Sequence, residues 1–214
     1  MKRKILIPTD FSDNAWNAAV YALKLYKNEL CTFYFLNSTT IKVATLSNLS
    51  NKLLEVMKDE TIRELLALKD LAEKSNVNTN HDFEIILSTE DLTTAIKKVT
   101  TELQIDLIVM GTKGAAGAKG FFFGSNTIHV IKSKKTCPLL LIPEAFDFIE
   151  LKEIAFPTDF NRFYDEKELK PLKQLAELHN SKIRIVHINE EETLNDIQEY
   201  NLKKLKSALK DYEV

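Results

Sequence analysis

Short apolar segments alternate with segments of helical periodicity along the first two thirds of the chain, and this alternation limits the fold more than any other feature. Parallel strands that are buried on both faces are continuous apolar runs, and the helices that connect them cover both faces of the sheet. We therefore predict a doubly wound α/β domain over residues 1–145, with a five-stranded parallel sheet and helices on both faces. The predicted strands are Ile5–Pro8, Cys31–Leu36, Phe83–Leu87, Ile105–Met110 and Pro138–Pro143.

Capping residues stand where the connecting helices are expected to begin. Ser12 or Asp13 can cap a first helix, and Ser88, Thr89 and Asp91 offer caps for a later one. Between them, apolar residues at helical spacing from about position 52 to position 74 predict a long amphipathic helix.

A second region of the chain repeats the first strand and the turn after it. Residues 154–160 read Ile-Ala-Phe-Pro-Thr-Asp-Phe and residues 5–11 read Ile-Leu-Ile-Pro-Thr-Asp-Phe, so five of seven positions are identical. An apolar segment over Ser181–Asn189 corresponds to Cys31–Asn37, and a second long helix is predicted over Glu191–Tyr212. A repeat of this length indicates a duplicated domain. Residues 150–214 are therefore expected to form a partial second copy.

A two-stranded partial copy is too small to be stable by itself. Two explanations remain open at this point: the sequence is part of a longer tandem protein, or the half-domain packs against another surface.

The distribution of glycine gives the strongest functional signal. All five glycines fall between Gly111 and Gly124, in the pattern Gly111-x2-Gly114-x9-Gly124-Ser125, directly after an apolar strand. The pattern is neither a P-loop nor the dinucleotide-binding fingerprint. Glycine lets main-chain N–H groups approach a phosphate closely, and the first N–H groups of a helix that begins at Ser125 favour an anion. We therefore predict a phosphate site at Gly111, Gly114, Gly124 and the N–H groups listed here: Ser125, Asn126 and Thr127.

Ligands of doubly wound sheets bind beyond the carboxyl ends of the strands, where the strand order reverses. If the first and fourth strands are neighbours there, Pro8, Thr9 and Asp10 face the glycine segment across a crevice. Asp10 can then accept a hydrogen bond from a ribose hydroxyl or lie near the base, and Leu36 can contact the base. A bound triphosphate would carry its own Mg²⁺, because that ion is held largely by phosphate oxygens and water.

These motifs together resemble the universal stress protein family. The resemblance is carried by Pro-Thr-Asp-Phe-Ser after the first strand, Asp-Leu-Ile-Val-Met-Gly-Thr at the fourth, the glycine pattern, and Cys-Pro-Leu-Leu-Leu-Ile-Pro at the fifth. It spans residues 2–143 and implies the strand order 3-2-1-4-5. It also implies a cytoplasmic stress-response protein that binds ATP through the predicted residues: Pro8, Thr9, Asp10, Leu36, Met110, Gly111, Gly114, Gly124, Ser125, Asn126 and Thr127.

The resemblance further implies pairing through the strand Leu139–Ile142, either between two subunits or between tandem halves. Asp159 matches Asp10, but the second region has no glycine segment of its own. A second nucleotide site is therefore not predicted.

Charge and apolar patterning argue against several other classes of protein. The formal net charge of −2 lacks the basic excess of dedicated nucleic-acid or membrane-surface proteins. No apolar run is long enough to span a bilayer. The two cysteines, Cys31 and Cys137, lie in apolar surroundings without metal-ligand spacing and are expected to be buried thiols.

Two alternatives to an ATP-binding module remain. One is a ligand-free interaction or scaffold protein that uses its fifth strand and half-domain for assembly. The other is a slow ATPase of the adenine-nucleotide hydrolase class, because bound Mg²⁺ and an oriented water suffice for weak turnover. The sequence has no Ser/His/Asp or Cys/His constellation, so catalytic residues are not predicted.

Overall fold

A computed structural model describes residues 2–39, 51–112, 124–133, 137–144, 146–187 and 193–212, with the main chain only for 51–54. The chain divides into two compact units, Met1–Phe148 and Ile149–Val214. Among the described residues, no helix combines the length and the apolar character that crossing a membrane requires.

The first unit is built around a five-stranded parallel sheet in the order β3-β2-β1-β4-β5. This confirms both the predicted fold class and the strand order. The strands are β1 (Arg3–Pro8), β2 (Cys31–Ser38), β3 (His81–Ser88), β4 (Leu107–Gly111) and β5 (Leu139–Ile142). Four helices connect them: α1 (Asp13–Leu25), α2 (Asn51–Ser75), α3 (Leu92–Glu102) and α4 (Ser125–Lys132).

Local sequence signals fix where α1 and α3 begin. The Ser12 side chain accepts a hydrogen bond from the Ala15 N–H at the start of α1. The Asp91 carboxylate accepts hydrogen bonds from the N–H groups of Thr93 and Thr94 at the start of α3. Each cap satisfies N–H groups that a helix cannot pair internally, and is worth about 1 kcal/mol.

The central strands are buried because helices cover both faces of the sheet. Ile5, Leu6 and Ile7 are three consecutive residues of β1 with no exposed surface, and Phe33 and Phe35 of β2 are equally buried. This continuous burial is typical of a central parallel strand and explains why the strands are apolar runs.

Strand pairing opens a crevice at one edge of the sheet. β1 pairs with β2 as far as Pro8 opposite Leu36, but its pairing with β4 reaches only Leu6 opposite Ile108. The ends of β1 and β4 therefore separate beyond Leu6. Because the strand order reverses between these two strands, the crevice lies where doubly wound sheets bind their ligands.

The second unit contains a two-stranded parallel sheet of β6 (Glu153–Pro157) and β7 (Lys182–Val186). Two helices pack on it, α5 (Glu166–His179) and α6 (Asp196–Leu209), around a core that includes Leu169, Ile183 and Leu205. The strand–helix–strand–helix order is that of β1 to α2.

The last helix of the second unit differs from the sequence-based expectation. It begins at Asp196 and not at Glu191, because Asn195 and Gln198 form a capping box that starts it there. The partial copy was expected to hold the first two strands and helices of the domain, with no bounds given for its first helix; α5 lies at that place, and Asp165 and Glu168 form a capping box at its start.

The Pro-Thr-Asp-Phe turn has the same conformation in both units. The Thr9 hydroxyl oxygen accepts a hydrogen bond from the Phe11 N–H at 3.0 Å, and Thr158 does the same for Phe160 at 3.1 Å. Phe11 and Phe160 both have left-handed main chain, with φ of 63° and 57°. The identical residues therefore produce an identical and unusual turn after β1 and after β6.

Candidate functional site

A cavity of about 350 Å³ lies at the carboxyl edge of the sheet in the first unit. It is lined by the ends of β1, β2 and β4 and by the first turns of α1, α3 and α4. Nine of the eleven residues predicted to bind nucleotide line it: Pro8, Thr9, Asp10, Met110, Gly111, Gly124, Ser125, Asn126 and Thr127.

The other two predicted residues are not among those that line the cavity. Leu36 has no exposed surface and belongs to a core cluster with Leu6 and Met110. Its side chain is therefore committed to the core of the sheet and does not form part of the cavity wall. Gly114 lies outside the described residues, as does the rest of the segment 113–123.

Asp10 lies at the mouth of the crevice, held by the turn after β1. Its carboxylate accepts hydrogen bonds from the main-chain N–H and the hydroxyl of Ser12. The residue is exposed and lines the cavity. Asp10 therefore shapes the turn into α1 and still offers acceptor capacity to a ligand, since a carboxylate can accept about four hydrogen bonds.

The first turn of α4 lacks a cap from its own sequence. Its N-cap residue is Gly124, which has no side chain to accept a hydrogen bond from the helix. By contrast, α1 and α3 of this unit are capped by Ser12 and Asp91, and α5 and α6 of the second unit by Asp165 and Asn195. The first N–H groups of α4, together with the positive end of its helix dipole, therefore favour an anion in the cavity.

Gly111 allows β4 to approach α1 at the wall of the cavity. A β-carbon at position 111 would lie 2.6 Å from both the side-chain nitrogen and the main-chain oxygen of Asn14. Such distances are shorter than van der Waals contact, so only glycine fits. The Oδ1 atom of Asn14 is buried and has no hydrogen-bond partner among the described residues.

Several residues of the cavity wall were not predicted. They come from the end of β2, beyond Leu36, and from the starts of three helices. They are Asn37 and Ser38 of β2; Ser12, Asn14 and Ala15 at the start of α1; Asp91, Leu92 and Thr93 at the start of α3; and His129 of α4. Pro8–Asp10 were predicted from the rule that ligands bind beyond the carboxyl ends of parallel strands, and this rule also applies to β2 and β3. Applied to them, it would have found the residues that follow Leu36 and Ser88.

Asp91, at the start of α3, contributes a negative charge to the wall of the cavity. Hydrogen bonds from the hydroxyl groups of Thr93 and Thr94, and from their N–H groups, lower the pKa of Asp91 to about 2. Asp91 is therefore ionised at neutral pH and already caps α3. Since one helix start holds a carboxylate and the other holds no cap, an anionic group is favoured beside α4 and disfavoured beside α3.

Neither cysteine is suited to nucleophilic chemistry. Burial raises the pKa of Cys31 to about 12 and that of Cys137 to about 11, so both are thiols at neutral pH. Within the described ranges, no group of three or more His, Cys, Asp or Glu residues is placed to hold a metal ion.

Comparison with solved structures shows where this fold occurs. The hypothetical protein PH0823 is 26% identical, with a TM-score of 0.54 over 68% of this chain and 99% of its own. A universal stress protein from Archaeoglobus fulgidus has a TM-score of 0.60 over 97% of this chain and 74% of its own, at 16% identity. One solved universal stress protein holds cAMP and one family member from Arabidopsis thaliana holds AMP; their TM-scores to this chain are 0.48 and 0.42.

Sequence comparison identifies the family. A universal stress protein of Methanocaldococcus jannaschii is 31% identical over 144 residues, which are 65% of this chain and 81% of that protein. The model of the universal stress protein family matches residues 1–143, which hold the whole five-stranded sheet and its cavity. The first unit therefore identifies this chain as a member of the universal stress protein family.

Proposed function

We propose that this chain binds ATP in the cavity between the ends of β1 and β4. The observation that carries the proposal is the start of α4, where Gly124 leaves the first helical N–H groups without a side-chain cap at the cavity wall. Gly111 lies at the same wall and brings β4 close to α1. A polyphosphate supplies the negative charge that this end of the cavity favours.

The difference between the two helix starts favours one orientation of the nucleotide. The phosphates are proposed to lie beside the uncapped start of α4, close to Ser125, Asn126 and Thr127, and the glycine at position 114 belongs to the same proposed site. The nucleoside is then expected on the side of the ionised Asp91, which disfavours a phosphate. Mg²⁺ is carried by the phosphates, since that ion needs few protein ligands when phosphate oxygens are present.

The proposed role is that of a nucleotide-dependent binding module in the cytoplasmic stress response, in which occupancy of the cavity changes the contacts of the protein.

Assembly through β5 is part of the proposal. β5 is an edge strand of the sheet, and Leu139, Leu140 and Leu141 are only partly buried. An apolar edge of this kind is suited to pairing with another strand, either from a second subunit or from a tandem half.

The second unit is proposed to be a partial second copy of the domain over residues 150–214. Support comes from two equivalent positions: Asn37 follows Leu36, which pairs with Pro8, and His187 follows Val186, which pairs with Pro157. The Asn37 side chain donates a hydrogen bond to the Thr9 carbonyl oxygen at 2.9 Å, and the His187 ring donates one to the Thr158 carbonyl oxygen at 2.8 Å. Different side chains thus make the same connection, as expected of two diverged copies of one unit.

Calorimetry on the full chain with ATP, ADP and AMP tests the binding proposal. We expect ATP to bind, and to bind more tightly than AMP, because the anionic end of the ligand meets α4. No heat and no thermal shift with any of the three would favour a ligand-free interaction protein. Several turnovers per minute with ATP would favour the slow ATPase.

A pair of variants at Gly124 tests where the phosphates bind. Gly124→Asp supplies a carboxylate cap, which keeps or slightly raises the stability of the ligand-free protein but repels phosphate. We expect ATP affinity to fall at least tenfold in this variant. Gly124→Ser is the matched control, because it supplies a neutral cap at the same position and should weaken binding less. Equal affinities for ATP in wild type and Gly124→Asp would place the phosphates elsewhere.

A further inference from the structure

We propose that nucleotide binding by this chain is coupled to protonation of His129, so that a proton is taken up with the ligand in the pH range in which histidines titrate; this inference rests on the proposed function. His129 lies in α4 and lines the cavity. It is absent from the set of residues that the sequence predicts for the site.

The charges on the wall of the cavity give a cation at His129 a specific use. The described lining residues include two carboxylates, Asp10 and Asp91, and no lysine or arginine. Of these described residues, His129 alone can gain a positive charge. A polyphosphate brings several negative charges, and a nearby negative charge favours the protonated form of an imidazole. Binding of the polyphosphate and protonation of His129 should therefore favour each other by the same factor.

The geometry of α4 directs His129 toward the proposed phosphate position. Ser125 and His129 are four residues apart in this helix, so they lie on the same face. Helical side chains lean toward the N-terminus of their helix and cover the preceding turn. The imidazole ring is therefore expected over the turn that begins at Ser125. This turn is the uncapped one, whose N–H groups favour an anion.

The ring of His129 has no competing partner in the described part of the chain. The residue is exposed, and neither ring nitrogen makes a hydrogen bond or an ion pair with a described residue. His81 is a contrast, because its buried ring lies 2.7 Å from the Asn76 amide nitrogen and 3.0 Å from the Tyr26 carbonyl oxygen. A protonated imidazole has two N–H donors. Both donors of His129 are thus available to phosphate oxygens.

Four groups of charged or titratable residues surround α4. Asp10 and Asp91 line the cavity together with His129, and Lys132 is exposed on α4 itself. Cys137 packs in the same core cluster as Val130 of α4, and burial raises its pKa to about 11. The helix α3 packs against α4, and its other charged residues are exposed and do not line the cavity: Lys97, Lys98 and Glu102.

Histidine differs from these neighbours in the pH range where its charge changes. Carboxylates ordinarily titrate at about pH 4 and lysines at about pH 10, whereas histidine titrates at about pH 6.5. Lys113 and Lys119 lie outside the described residues, and as lysines they keep their charge across the neutral range. A binding-linked proton between about pH 6 and about pH 8 therefore points to His129.

Calorimetry on the full chain with ATP, at about pH 6 and about pH 8, tests the coupling on wild type and His129→Gln. Glutamine is neutral at both pH values and keeps a hydrogen-bonding side chain. The terminal phosphate of ATP gains a proton near pH 6 as well, but this contribution is common to both proteins and cancels in their ratio. We expect wild type to bind ATP about fourfold more tightly than His129→Gln at pH 6, and within about 1.5-fold of it at pH 8.

The proton itself can be counted. At about pH 7, repeating the titrations in buffers with different heats of ionisation gives the number of protons taken up with each ATP. We expect wild type to take up a few tenths of a proton more than His129→Gln, which is the partial change that a shift in one histidine produces near its midpoint. The melting temperatures of the two ligand-free proteins should agree, because His129 is exposed.

Lys132→Gln is the matched control. Lys132 is exposed on the same helix and does not line the cavity, and its charge does not change in this pH range. Its removal can weaken ATP binding slightly at both pH values through the lost charge. The ratio of its affinity to that of wild type should be the same at pH 6 and pH 8, and its proton uptake should equal that of wild type.

The outcomes that contradict this inference differ from those that contradict the proposed function. If the ratio of wild type to His129→Gln is the same at both pH values, or if the variant takes up as many protons as wild type, the coupling is refuted while ATP binding stands. A variant that is weaker by an equal factor at both pH values would assign His129 a contact in its neutral form and overturn the coupling. If wild type binds no nucleotide at either pH, the proposed function fails, and the inference fails with it.

Discussion

The Thr127 hydroxyl donates a hydrogen bond of 3.4 Å to the carbonyl oxygen of Gly111. Thr127 is buried in the first turn of α4, and Gly111 is the last residue of β4. This bond therefore joins the two elements that form the proposed phosphate end of the cavity. Because the Thr127 side chain is directed to the main chain of β4, its role at the site includes holding the helix start in place.

Thr127→Val keeps the shape of the side chain and removes its hydroxyl. We expect the free energy of unfolding to fall by about 1 kcal/mol, because the Gly111 carbonyl oxygen loses a donor. ATP affinity should fall as well, since the start of α4 is less firmly placed. Thr101→Val is the control: Thr101 is exposed on α3, so its loss should change stability by less than about 0.5 kcal/mol. Denaturant unfolding and calorimetry measure both effects, and equal stabilities of the two variants would contradict the prediction.

Gly111→Ala adds a β-carbon 2.6 Å from the main-chain oxygen of Asn14. To relieve this contact, β4 or α1 must shift, and we expect a loss of about 1–3 kcal/mol in the free energy of unfolding. Adding Asn14→Ala to this variant should not restore stability, because the main-chain oxygen remains. Restoration in the double variant, measured by denaturant unfolding, would show that only the Asn14 side chain is in the way.

Asp91 makes the stability of the protein depend on pH in the acid range. Hydrogen bonds from Thr93 and Thr94 lower its pKa to about 2 from an ordinary value of about 4. The unfolded chain thus takes up the proton first as the pH falls, so the stabilisation is complete above pH 4 and is lost toward pH 2. We expect Asp91→Ala to reduce the free energy of unfolding by about 1 kcal/mol at pH 7, the usual value of a cap.

The difference between wild type and Asp91→Ala should shrink as the pH falls from about 4 to about 2. Asp91→Asn is the control variant. Asparagine caps a helix nearly as well but does not titrate, so this variant should keep most of the stability without the acid dependence. Urea unfolding at a series of pH values measures all three proteins. A constant difference across this range would contradict the assignment.

His81 should make the protein sensitive to milder acid. Burial lowers the pKa of His81, although a hydrogen bond to the Tyr26 carbonyl oxygen partly opposes this effect. The unfolded chain therefore binds a proton at a higher pH than the folded chain does. Stability is complete above the ordinary histidine pKa of about 6.5 and decreases as the pH falls below it.

His81→Asn removes this titration. We expect the variant to be about 1 kcal/mol less stable than wild type at pH 7.5, because the bond to Tyr26 is lost. Between pH 7 and pH 5.5, however, its stability should change less than that of wild type. Thermal melts across this range give the comparison. An equal slope in both proteins would assign the acid sensitivity to another group.

Sequence patterns were sufficient for the sheet but not for every helix. Five apolar runs, each closed by polar or proline residues, determined the strands because a parallel strand buried on both faces has few alternatives. The helix α5 was expected only as part of a partial second copy, without bounds, because Pro171 interrupts its pattern. The capping box of Asp165 and Glu168 was the available signal, since it marks a helix start independently of the apolar pattern.

Sequence reasoning predicted which residues line the cavity where main-chain position decides, and did less well where side-chain direction decides. Pro8–Asp10 and Gly111 line the cavity because they follow neighbouring parallel strands, which is a property of the topology. Leu36 is buried in the core and is not among the residues that line the cavity, because the sequence of a strand buried on both faces does not indicate which apolar residues face the core. Asn14, which also lines the cavity, was not predicted because its contact with Gly111 joins residues that are distant in sequence.

The glycine that begins α4 has a consequence for how the protein responds to its surroundings. An anion bound there completes the hydrogen bonding of a helix that the chain leaves incomplete, and so becomes part of the folded state. A ligand that binds only the folded chain adds a stabilisation that grows with the logarithm of its concentration. If that anion is the proposed nucleotide, the melting temperature of this protein is expected to rise with the nucleotide concentration.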